Sequence, residues 1–132
     1  MNSAIRRLVF ERALHRCEYC HLPQAAAPFI AFHVEHIVAL QHLQDDSENN
    51  LALACPDCNR YKGPNLTSVD PETRQLVRLF HPRQDRWEDH FEYQGPLIIG
   101  LSDIGTATVR LLDMNSRQRI LMRLAIMQTG EM

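Results

Sequence analysis

The chain has 132 residues, of which 45% are hydrophobic and 23% charged, with a formal net charge of −2. That is enough for one domain with a real core. It is not the composition of a disordered chain, and the net charge argues against a protein that coats nucleic acid by bulk positive charge, though not against one that grips it locally. No run approaches the ~20 apolar residues of a membrane span, so no membrane association is expected. The first residues carry Arg6, Arg7, Arg12 and Arg16 without a long apolar stretch or a cleavage pattern. No signal peptide is therefore expected, and the cytoplasm is the expected location.

In chain order, residues 5–16 read as a helix, with Ile5, Leu8, Val9 and Ala13 on one face. A Pro-containing loop, Leu22 to Pro28, precedes a strand over Phe29–Val38, rich in β-branched and aromatic residues. The polar stretch Gln41–Asn50 reads as a loop and Leu51–Ala54 as a short second strand. Pro56 suits the first turn of a helix that Gly63-Pro64 ends. Asn65–Pro71 is turn-rich, and Trp87–Leu101 reads as two strands around Gln94-Gly95. Ser102 can cap a helix over Asp103–Met114, and a last helix over Arg117–Met127 follows Asn115-Ser116. Apolar residues at the C-terminal end suit a core or a homodimer face. Locally, Arg6, Arg7, Arg12 and Arg16 face one acid, Glu11, while Arg60, Lys62, Arg74, Arg78, Arg83 and Arg86 make a second basic stretch. Both are compatible with local contact to nucleic acid, although charge runs are commonly solvated faces.

The four cysteines form two C-x2-C knuckles, Cys17-Glu-Tyr-Cys20 and Cys55-Pro-Asp-Cys58. Two such turns aim four thiolates at one tetrahedral zinc ion. Disulfides do not suit a reducing compartment, and a redox pair would need one knuckle in a βαβ setting that is missing. With every position taken by sulfur, the expected Zn²⁺ is structural.

Four polar residues stand where chemistry could be done. Glu35 and His36 lie in the first strand, Asn50 just before the second, and Asn59 in the short helix after Cys58. Cutting a phosphodiester needs an activated water and a counter-charge on the phosphate. A neutral imidazole can take the proton, and a hard cation can supply the charge. The Glu35 carboxylate and the Asn59 amide oxygen suit Mg²⁺ or Mn²⁺. Lys62 shares a helical face with Asn59, and with Arg60 it could contact a phosphate. Neighbours on a strand point to opposite sides, so Glu35 and His36 can serve one site only if the strand bends or ends there. This is expected.

Taken together, Cys17-x2-Cys20, Glu35-His36-Ile37, Asn50-Leu51 and Cys55-x2-Cys58-Asn59-x2-Lys62 resemble the HNH endonuclease family. The resemblance covers residues 17–63. It implies an α+β fold: a ββα-metal finger stapled by a four-cysteine zinc site, with an N-terminal helix and a C-terminal strand-plus-helix extension over 64–132 in one domain. It also implies His36 as general base, Glu35 and Asn59 as ligands of the catalytic cation, and Asn50 as the residue that fixes the loop and helps orient the base. The implied substrate is nucleic acid, with DNA favoured. The chain departs from the family pattern at Ala39, where many members have Pro, and in the loop Gln41–Asp46, which lacks a common Gly-Gly. Phe80-His-Pro-Arg83 through Trp87-Glu-Asp-His-Phe91 is similar to the extension of a bacterial branch of small stand-alone HNH proteins and assigns no residue a role. Two other readings stay open. One is a non-catalytic zinc module that binds nucleic acid or protein. The other is a redox protein using its C-x2-C pairs.

Overall fold

Asn2, not a residue nearer Ile5, starts the first helix: its side chain accepts from the Ile5 N–H at 2.9 Å. In the computed structural model, which describes residues 1–132, α1 spans Ser3–Arg12. It ends four residues before the sequence pattern suggests, because Leu14 and His15 take left-handed backbone (φ 54° and 55°). That conformation breaks the helix and turns the chain into the first knuckle.

Strand β1, His33–His36, pairs antiparallel with β2, Leu51–Ala54, in the register His33↔Ala54, Val34↔Leu53, Glu35↔Ala52 and His36↔Leu51. The β-rich composition of residues 29–38 suggests a longer strand. Only four residues find a partner, since β2 is itself four residues long, and Phe29 is left fully exposed. Helix α2, Pro56–Lys62, follows at once, with Pro56 in its first turn and Gly63 ending it at positive φ (51°).

The segment Asn65–Pro71 is not only a turn. Thr67–Val69 (β3) pairs with Leu76–Arg78 (β4). The Asp70 carboxylate accepts from the Glu72 and Thr73 N–H groups and closes the hairpin. Trp87–His90 forms one helical turn, α3, before the hairpin of β5, Phe91–Gln94, and β6, Leu97–Gly100. Helices α4, Asp103–Leu111, and α5, Arg117–Gln128, are capped by Ser102 and Ser116, as their sequences suggest. Gly105 in α4 lies so close to the His90 carbonyl that a Cβ there would overlap the oxygen. Only glycine lets α4 reach the β5–β6 hairpin.

One continuous core joins these parts. Val9 of α1, all four cysteines, Tyr19, Leu51 and Leu53 pack with Phe80, Phe91, Ile98, Leu112, Met114 and Ile126 from the second half of the chain. The fold is α+β, with three small two-stranded antiparallel sheets. No helix is long and apolar enough to cross a membrane.

Candidate metal centre and candidate active site

The first knuckle is shaped by the backbone. The Cys17 N–H donates to the Leu22 carbonyl and the His21 N–H to the Cys17 carbonyl, both at 2.9 Å. The second knuckle uses the helix start: Cys55 is the N-cap of α2, and its Sγ accepts from the Cys58 N–H at 3.4 Å. The four ligand atoms lie within 4.8 Å of one another, and all four residues are buried. Cys20 Sγ and Cys55 Sγ are 3.7 Å apart. That matches the edge of a tetrahedron with ~2.3 Å metal–sulfur bonds, about 3.8 Å, and leaves the cysteines free of disulfides. Burial pushes the Cys17 and Cys58 thiols up, so four thiolates here need a divalent cation to balance them. The donor set fits one structural zinc ion.

Residues far along the chain complete this centre. Arg119 of α5 donates from Nη2 to Cys58 Sγ at 3.0 Å and Cys55 Sγ at 3.8 Å, while its Nη1 donates to the Leu112 carbonyl at 2.7 Å. The neighbouring thiolates hold its guanidinium firmly charged against the cost of burial. Trp87 Nε1 donates to the Tyr19 carbonyl at 2.8 Å, and its ring stacks on His21 at 4.0 Å. The Tyr93 hydroxyl donates to the Cys20 carbonyl. Knuckle spacing could not reveal these partners, because they lie 61, 68 and 73 residues from what they touch.

On β1 the alternation of faces decides the rest. Glu35 turns inward and is 7% exposed. Its Oε1 accepts from the Tyr19 hydroxyl, and its Oε2 stands 3.9 Å from Lys62 Nζ. Burial raises its pKa, opposed by Lys62 and Tyr19. His36 turns outward at the end of the strand, where its Nε2 meets Asp46 Oδ1 at 2.8 Å. The strand ends at His36, but no bend brings the two side chains to one face.

Asn50 is buried and works as a clasp. Its Oδ1 accepts from the Val38 N–H at 2.8 Å, and its Nδ2 donates to the Val38 and Asp45 carbonyls at 3.0 and 2.9 Å. The loop that carries Asp46 is hung on these three bonds. Asn59, half-buried on α2, makes no side-chain hydrogen bond within the protein. Lys62 is buried, with Nζ donating to the Ile37 carbonyl at 2.8 Å, so in this conformation it offers nothing to a phosphate outside. Arg60 is exposed, pairs with Asp57 at 3.3 Å and lies over the Tyr61 ring. His33 is exposed on the strand. Asp46 is the residue the motif did not single out. Its only signal is an acid placed between His36 and Asn50 in a polar loop.

An antiparallel hairpin, a short helix, four converging cysteines and a histidine at the hairpin's open end define a zinc-stapled ββα-metal finger. Residues 17–65 match the family model described as HNH endonuclease. No curated protein and no solved structure matches the chain.

Proposed function

We propose that the protein is a metal-dependent endonuclease that hydrolyses phosphodiester bonds of nucleic acid, DNA above RNA, with His36 as general base. The observation that carries this reading is the His36–Asp46 pair at the open end of β1, on a loop fixed by Asn50. An ionised carboxylate only accepts hydrogen bonds, so Nε2 carries the ring proton and Nδ1 keeps a lone pair. Asp46 thereby fixes the tautomer and orients the ring, and Nδ1 takes the proton from the attacking water. Asn50 holds that geometry.

Glu35 and Asn59 are the residues that would hold Mg²⁺ or Mn²⁺. Glu35 is a buried carboxylate whose Oε1 accepts from the Tyr19 hydroxyl, while Lys62 Nζ stands 3.9 Å from Oε2, longer than a hydrogen bond, so Oε2 keeps a lone pair that a cation could take. Lys62 brings the Asn59 face of α2 against β1, and the Asn59 amide is unengaged. When bound, such an ion neutralises charge developing on the phosphate and the leaving oxygen. To Arg60, exposed beside Asn59, we assign contact with the substrate strand. The phosphate contact expected of Lys62 has no support in its buried position. We place the activity in one structural unit, since the core runs through both halves of the chain.

The test is incubation of purified protein with supercoiled plasmid, single-stranded DNA and RNA, in Mg²⁺, Mn²⁺ and no added metal. Metal-dependent cutting supports the enzyme. No cleavage of any substrate in any metal moves the assignment to a non-catalytic zinc module that binds nucleic acid or protein.

A further inference from the structure

The turn Phe80–Gln84 lies outside the HNH segment, yet it stands opposite the loop that Asn50 holds. Between them is a polar cleft of about 450 Å³. One wall is Asp45, Asn49 and Asn50, and the other is His81, Arg83 and Gln84. Asp45 is the neighbour of the Asp46 that orients His36, so the cleft opens beside the proposed base.

The second wall is built from donors. His81 Nδ1 accepts from the backbone N–H groups of Arg83 and Gln84, each at 3.2 Å. A ring nitrogen used as an acceptor carries no proton, so the neutral ring presents Nε2–H as a donor. Burial holds the His81 pKa below its usual value and keeps the ring neutral. His81 Nε2 has no partner in the protein. Arg83 reaches Glu18 with Nη2, but its buried Nε has no partner. Glu18 accepts from the Leu53 N–H with its other oxygen, Oε2, at 2.8 Å. Burial, with the Arg12 guanidinium alongside, pulls Arg83 down to about 10. Arg12 also leaves a buried Nε unpartnered. The one carboxylate of the cleft, Asp45, is occupied by the Ser47 N–H at 2.9 Å.

We propose that the turn His81–Gln84 is the second wall of the nucleic-acid cleft, where His81 Nε2–H and the Arg83 guanidinium grip a backbone phosphate beside His36. The inference rests on the nuclease reading and adds to it a phosphate-binding element outside the HNH segment. Such contacts position the strand without reading its sequence.

The test measures binding of labelled duplex DNA, and of RNA of the same sequence, to the full chain carrying His36→Ala so that nothing is cut. His81→Asn keeps an acceptor for the two backbone N–H groups and removes the outward donor. Gln84 is exposed, so Gln84→Glu and Gln84→Lys change the charge of the wall without touching the core. The expected result is a loss of affinity of about tenfold for His81→Asn and Gln84→Glu, the scale of one charge-assisted hydrogen bond. For Gln84→Lys, affinity rises and the salt slope steepens by about one. Affinities within twofold of the parent in all three variants, with zinc content and melting unchanged, overturn the proposal. So does a parent that binds no nucleic acid. The two readings fail separately. Weakened binding in variants of a protein that cuts nothing retains the cleft and removes the nuclease. Cleavage and binding unchanged by the variants retain the nuclease and remove the cleft.

Discussion

The cysteine centre and the His36 edge lie within one short segment and are built on opposite principles. At the centre every donor is buried, each knuckle is closed by backbone hydrogen bonds, and side chains from the far end of the sequence seal it. At the edge a single histidine faces outward, held by an exposed aspartate on a loop hung from one asparagine. The difference fits the roles proposed for each. A metal that holds a fold needs all its positions filled by protein, whereas a group proposed to handle water and a phosphate needs an open side. Glu35 and His36 show the division within two residues of one strand: one faces the core and its lysine, the other faces solvent and its aspartate.

The largest effect expected from breaking this division comes from the closed side. Cys58→Ser leaves three thiolates and an incomplete shell. We expect loss of bound zinc, measured by metal analysis, and loss of the cooperative unfolding transition, because zinc binding at such sites is folding free energy. Arg119→Ala comes next. It removes the buried cation facing Cys55 and Cys58, and breaking a buried charge pair costs on the order of 3 kcal/mol. The checks are thermal melting and the rate of zinc release to a competing chelator, with Arg119→Lys intermediate.

On the open side, Asp46→Asn keeps the loop and removes the carboxylate. We expect kcat to fall roughly tenfold, the lower end of the effect of a group that orients another, while zinc content and melting stay unchanged. The smallest effect sharpens the contrast from outside both centres. Asp85 is held at about 2 by the Arg78 guanidinium, at 2.7 and 2.9 Å, and by the His81 N–H. Its folded value lies below its ordinary one, so its stabilisation is fully present above about pH 4 and is lost as the pH falls towards 2. The Arg78 side chain is half exposed, so solvent screens much of the gain. Acid titration of melting should show Asp85→Asn converging with the parent over that window, with cleavage at neutral pH unaffected.

Local signals made much of this legible in the sequence. The knuckles are short-range patterns, and Pro56 and Gly63 bracket α2 because each imposes its own backbone geometry. Asn50 stood out by its place before Leu51, and the structure finds it bonded across the loop. What escaped depends on distance or on a choice of face. Arg119 lies 61 residues from Cys58. The β3–β4 hairpin hides behind turn residues. Lys62 looks like a surface cation until its helix is docked and the inward Glu35 claims its ammonium.

The separation of the two centres is tested most directly in one sample of His36→Ala, with zinc content and cleavage of supercoiled plasmid in Mg²⁺ or Mn²⁺ measured side by side. The account predicts a full complement of zinc, parental melting and no cleavage. Cleavage at the parental rate would contradict His36 as the base. Loss of zinc or of folding would contradict the independence of the open edge from the closed centre.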